Sequence, residues 1–133
     1  MSTFRRFEDI EAWQKARILT KRIYEISKKG SLAQDFGFRD QIRRASVSVM
    51  ANITEGYERG GTKEFGQFLS MAKGSVGEVR SHLYVALHQG YCTQEVFDEL
   101  GGLAVEISRM ISGLMTNLRE SWIKGPKYHT PKT

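Results

Sequence analysis

Phe65, Leu69, Ala72, Val76, Val79, Leu83 and Ala86 alternate spacings of four and three. That alternation is the seam of a helix packed into a left-handed bundle. It leaves little room for a strand, because strand side chains alternate faces every second residue. The rest of the chain permits the same reading throughout. Its only prolines are Pro126 and Pro131, so nothing in the body breaks a helix.

Four helices follow. The first is predicted over Phe7–Lys29. Glu8, Asp9 and Glu11 crowd its start and Lys28 and Lys29 its end, the order that the helix dipole favours. Ala12, Ala16, Leu19, Ile23 and Ile26 form its inward stripe, flanked by Trp13 and Tyr24. Gly30 reads as its stop, and Ser31–Asp35 as a short linker.

The second helix is predicted over Phe38–Arg59. Phe38, Ile42, Ala45, Val49, Ile53 and Gly56 make one apolar stripe, while Val47, Met50, Thr54 and Tyr57 fall on another side. A helix apolar on two sides is expected to be covered on two sides. Gly60-Gly61 ends it. The third begins with Thr62 as N-cap and ends at Gly90. The fourth begins with Thr93 as N-cap, and Val96, Leu100, Leu103, Ile107, Met110, Ile111, Leu114 and Leu118 form its stripe.

The connections are short, and short loops make successive helices antiparallel neighbours. The expected architecture is an all-α, up-down-up-down four-helix bundle over residues 1–120. A basic tail, 121–133, is expected to be mobile.

The chain has 133 residues, 40% hydrophobic and 26% charged, enough for one domain with a real core. No apolar run reaches the length of a membrane span, and the N-terminus lacks the apolar core of a signal peptide. Cys92 is the single cysteine, so no disulfide framework is expected. These features point to the cytoplasm as the expected compartment, with no membrane partner expected.

Enzymatic readings fail on the motifs. Phosphate loops, dinucleotide turns and nucleophile elbows are missing. Glu78 and His82 share a helix face but lack the further ligands that a metal needs. Catalytic residues, metal, cofactor and small-molecule substrate are therefore not expected.

Three polar patterns remain. The first is a basic face on the first helix: Lys15, Arg17, Lys21, Arg22, Lys28 and Lys29. The formal net charge is +5, and charge is segregated, with the fourth helix mostly acidic. The functional reading is a footprint for the phosphate backbone of RNA or DNA, and the alternative is a solvated helix face.

The second pattern is a polar stripe on the second helix: Gln41, Arg44, Ser48, Asn52, Glu55 and Arg59, at spacings of three and four. It reads either as a hydrogen-bonded network or subunit contact, or as a binding site. Arg44, Ser48 and Glu55, or their copies in a neighbouring subunit, are the expected partners of Asn52.

The third is a line of small residues on the third helix: Gly66, Ser70, Gly74, Gly77 and Ser81. Glycine inside a helix costs about 1 kcal/mol against alanine, so a close backbone approach is expected there. The approaching backbone belongs either to the bundle itself or to a second subunit.

The chain also resembles a known family. FEDIEAWQKA, QIRRASVSVMANITEGYERGGTKEF and FLSMAKGSVGEVRSHLYVALHQGY are similar to segments of the four-helix bundle proteins encoded in intervening sequences of bacterial 23S ribosomal RNA genes. The family pattern falls on Trp13, Gln41 to Ala45, Ser48, Asn52, Ile53, Glu55, Gly56, Lys63 to Phe65, Gly74, Ser75 and Glu78. Two departures stand out. Val49 and Met50 follow Ser48 where the family often has a proline, and Ser31 to Phe36 has none. Both are expected to leave the second helix straighter.

The resemblance implies a ring assembly, commonly a homopentamer. Similar bundles act as accessory proteins of diversity-generating retroelements, binding nucleic acid and a reverse transcriptase. The expected function is a non-enzymatic, oligomeric bundle that binds nucleic acid, RNA foremost. The alternative is a protein-interaction scaffold without nucleic-acid contact.

Overall fold

A computed structural model describes residues 4–124 of the chain, and their side chains through residue 120. Among the described residues all regular structure is helical. A 3₁₀ turn at Phe7–Asp9 leads into α1 (Glu11–Ile26). There follow α2 (Gly30–Gln34), α3 (Phe36–Glu58), α4 (Thr62–His88) and α5 (Gln94–Lys124).

The four long helices form a square. α1 packs on α3 and α5, and α4 packs on the same two, so α1 and α4 lie on a diagonal. Contacts between α3 and α4 give the direction. Phe38 meets His82, Ser48 meets Ser75, and the Gly56 backbone lies against Phe68. Rising numbers on one helix meet falling numbers on the other, so the pair is antiparallel. Lys15–Glu106 and Arg22–Glu99 give the same result for α1 and α5. Tyr84–Phe97 closes the short α4–α5 turn.

The core is the set of inward stripes. Ala12, Ala16, Leu19 and Ile23 of α1 meet Ile42, Ala45, Val49 and Ile53 of α3, the whole α4 seam from Phe65 to Ala86, and Leu100, Ile107, Ile111 and Leu118 of α5. On α5 the fully buried position is Ala104, while Leu103 packs at the edge. The second apolar side of α3 is covered only in part. Tyr57 is buried, and its hydroxyl donates to the Phe4 carbonyl at 3.0 Å, but Val47 stands exposed.

Several boundaries differ from the sequence reading, each for a local reason. α1 stops at Ile26 rather than Lys29. Ser27 is fully buried, its hydroxyl donates to the Tyr24 carbonyl, and it accepts from Arg43 Nε at 2.7 Å. That bond draws the chain toward α3. Gly30, with φ +64°, does mark the break, but the expected linker is itself the single turn of α2, which buries Leu32.

α3 begins two residues early because Asp35 caps it, accepting from the Phe38 amide at 3.3 Å. Thr62 is the first residue of α4 and not its cap, which is Gly61. Thr93 does cap α5, accepting from the Val96 amide at 3.1 Å. α5 runs on to Lys124, past the predicted boundary at 120. The remainder of the expected tail lies outside the described residues.

Candidate nucleic-acid interface and polar stripe

α1 sets its cations on two different surfaces. Lys15 and Arg22 are seven residues apart and turn toward α5. Arg22 forks onto Glu99, with Nε at 2.9 Å from one carboxylate oxygen and Nη2 at 2.8 Å from the other, and Nη1 reaches Glu25 at 2.9 Å. Lys15 lies 3.6 Å from Glu106. The fork holds the Glu99 carboxyl below its ordinary range and raises the Arg22 guanidinium.

These two residues therefore do not stand free on a uniform basic face. Spacing within α1 does not reveal those partners, which lie 91 and 77 residues away. Arg17, Lys21, Lys28 and Lys29 are exposed and make no ion pair among the described residues. Arg17 and Lys21 are one turn apart, and Lys28 follows just past the helix end.

The polar stripe of α3 divides into three parts. In its middle, Ser48 Oγ lies 2.9 Å from Ser75 Oγ of α4. Asn52 Nδ2 donates to the Ser48 carbonyl at 3.0 Å and to Ser48 Oγ at 3.1 Å. Of the three partners expected for Asn52, only Ser48 is engaged. At the C-terminal end, Glu55 pairs with Arg59 at 2.7 Å, and the Arg59 guanidinium lies 4.9 Å from the Phe68 ring centre. At the N-terminal end, Gln41 and Arg44 are exposed and, with Ala45, Ser48 and Glu78, line a cleft of about 200 Å³ between α3 and α4. The fold thus gathers Gln41, Arg44, Ser48, Asn52, Ser75 and Glu78, which sequence separates by up to 37 positions, on one seam.

The small residues of α4 do not receive a neighbouring helix of this chain. Ser70, Gly74, Gly77 and Ser81 are exposed, Gly66 is half-buried, and a Cβ added at Gly74 or Gly77 would meet nothing within 4 Å. Packing inside the bundle does not account for them. The close approach lies at Gly56, where a Cβ would stand 2.6 Å from Phe68 Cβ and 3.2 Å from the Phe65 ring. That glycine lets α3 and α4 converge toward their turn.

One cluster was missed by the sequence reading. On α3, Phe36, Arg39 and Arg43 share a face at spacings of three and four. Arg39 lies over the Phe36 ring at 4.9 Å, and Arg43 over the Tyr24 ring of α1 at 4.5 Å. Phe36 is 63% exposed. A search for aromatics interleaved with α1 cations would not find it, because the arginines belong to α3. Beside it, Tyr91 donates to Asp35 at 2.6 Å, which pins the α4–α5 turn to the start of α3 and raises the phenol above its ordinary pKa.

No group of three or more His, Cys, Asp or Glu among the described residues could hold a metal. His82 packs edge-on to Phe38. Burial raises the Cys92 thiol, away from the reactive thiolate. No helix of the described residues is long and apolar enough to cross a membrane.

The model of the 23S rRNA-intervening sequence protein family matches residues 8–113. The chain belongs to this family. The match spans α1 to α4 and the first two-thirds of α5, so the family's extent is the square bundle itself. A crystal structure from Bacteroides thetaiotaomicron VPI-5482, a protein with unknown function from the S23 ribosomal protein family, has the same fold. It superposes with a TM-score of 0.71 at 21% identity, covering 78% of this chain and 97% of that one. No curated protein matches the chain.

Proposed function

We propose that this family member is a non-enzymatic, self-assembling cytoplasmic bundle that binds nucleic acid, RNA foremost, by charge. The observation that carries the reading is the exposed set Arg17, Lys21, Lys28 and Lys29, which has no acidic partner among the described residues. Lys15 and Arg22 pair with Glu106 and Glu99 of α5 and stand outside that set. Contacts of this kind are to phosphates and carry little sequence preference. Four cations bind weakly alone, and a ring, which the family resemblance implies, repeats them by symmetry.

The test is titration of a labelled RNA at about 50 mM salt, where electrostatic binding is favoured, followed by titration against rising salt. For single strands each phosphate contact adds about 0.7 to the slope, so four contacts per subunit give a slope of about −3 for each subunit engaged. The triple variant Arg17→Glu, Lys21→Glu, Lys28→Glu should lose binding with unchanged helical circular dichroism. Failure of the wild type to bind at low salt would leave the second reading, a protein-interaction scaffold. Its support is the outer face of α4, where Met71 and Val85 stand exposed among small residues.

A further inference from the structure

The reading above uses charge alone, and the aromatic cluster on α3 goes further. Phe36 is the most exposed large apolar side chain among the described residues, at 63%. A phenylalanine in that position costs solvation and contributes nothing to the core. Its ring is partnered by a cation. Arg39 covers one side at 4.9 Å, and Arg39 is itself fixed, with Nη1 donating to the Ala33 carbonyl at 3.1 Å and Nε to Asp40 at 3.2 Å. With the residue 63% exposed, most of the ring surface that Arg39 does not cover is open to solvent. Four residues along the same face, Arg43 is fixed in the same manner, by Ser27 at 2.7 Å, and lies over Tyr24.

The order along the surface is therefore Phe36, Arg39, Arg43, Tyr24: aromatic, cation, cation, aromatic. Seven residues of α3 separate Phe36 from Arg43, a rise of about 10 Å. Lys28 and Lys29 follow Ser27 directly and are exposed beside it. Against these four cations stand Asp40, paired with Arg39, and Asp35, held by Tyr91 and the Phe38 amide. The local charge remains positive.

We infer that this face binds single-stranded nucleic acid by stacking an unpaired base on the open side of Phe36, with Arg39 behind the ring and Lys28, Lys29 and Arg43 on the phosphates. The inference rests on the nucleic-acid reading above and adds a preference: strands with unpaired bases over duplex. Every base offers a π face, so stacking is tolerant of sequence, and cations behind the ring reinforce it. In duplex the bases are already stacked and paired, and the ring has nothing to gain.

Three probes of about a dozen nucleotides separate the terms: oligouridylate, an abasic strand of equal charge, and a duplex. Fluorescence anisotropy reads binding of each. Phe36→Ala should weaken oligouridylate about five- to a hundred-fold, the span of one lost stacking contact, and leave the abasic strand and the duplex unchanged. Phe36→Trp should keep the wild-type affinity or improve it. The pair Lys28→Glu, Lys29→Glu should weaken all three probes. If Phe36→Ala binds oligouridylate as the wild type does while the lysine pair still fails, the stacking inference is overturned and the charge reading stands. Wild-type protein that binds none of the probes overturns both. A change of solution mass in Phe36→Ala places the ring between copies of the chain, and that too overturns the inference.

Discussion

Ser48 Oγ and Ser75 Oγ lie 2.9 Å apart where α3 crosses α4, and Ser48 Oγ also accepts from Asn52 Nδ2 at 3.1 Å. Ser75 is 9% exposed, so its hydroxyl has little access to water. Ser48→Ala strands it and should cost about 1–2 kcal/mol. Ser48→Ala combined with Ser75→Ala removes both polar groups and should cost less than the sum of the two single changes. Urea denaturation of the four proteins measures the coupling. Strict additivity would mean that the two hydroxyls do not bond.

Gly56 is held to its size by its neighbours. A methyl group there stands 2.6 Å from Phe68 Cβ, an atom close to the backbone of α4 that cannot swing aside. Gly56→Ala should destabilise by about 1–3 kcal/mol, against the general gain of alanine over glycine in a helix. Thermal unfolding decides the sign. A stabilised variant would show that α3 and α4 part without cost.

The helices were legible because each carries one stripe of core residues at helical spacing. The α4 seam from Phe65 to Ala86 is buried as read. Boundaries were less legible wherever a distant partner set them. Ser27 ends α1 because Arg43 reaches it, and Asp35 starts α3 while also holding Tyr91. The same physics limited the site reading. At about 100° per residue Lys15 and Arg22 already fall to one side of Arg17 and Lys21, but that Glu106 and Glu99 claim them from α5 is something no spacing within α1 reveals. Asn52 was read correctly as a partner of Ser48, while its link to α4 runs through Ser75, which no spacing within α3 reveals.

The Arg22–Glu99 fork predicts a pH dependence. Hydrogen bonding to Arg22 lowers the Glu99 pKa from its ordinary value of 4.5. A carboxyl with a depressed folded pKa contributes stability that is present above the unfolded value and is lost as pH falls through the folded one. The stabilisation should therefore be full at neutral pH, begin to decline as pH falls past the ordinary value of 4.5, and be gone once pH is below the lowered folded value. In Arg22→Met the Glu99 carboxyl should titrate nearer its ordinary value, as followed by carbon-13 NMR of the side chain. An unchanged midpoint would show that the fork is open in solution. Arg22→Glu should be worse than Arg22→Met, because it sets a second carboxylate against Glu99 and Glu25. That change therefore belongs in a stability experiment and not in a test of nucleic-acid binding.

The outer face of α4 gives the last prediction. Gln67, Ser70, Gly74, Gly77, Ser81 and Val85 are exposed along it, with Met71 at 55% exposure on its edge. An isolated helix gains from alanine at a glycine position by about 1 kcal/mol, so an unused solvent face has no reason to keep two glycines. Nothing within the chain comes within 4 Å of a Cβ at Gly74 or Gly77, so even leucine should fit there in a single subunit. The expectation is that these glycines admit a second copy of the chain. Wild-type protein should then show a light-scattering mass that is a multiple of 15.2 kDa at tens of micromolar. Gly74→Leu and Gly77→Leu should lower that mass while circular dichroism stays helical. Should the wild type be a monomer, or the leucine variants assemble unchanged, α4 is not the contact. Gly74→Ala should then simply stabilise the subunit.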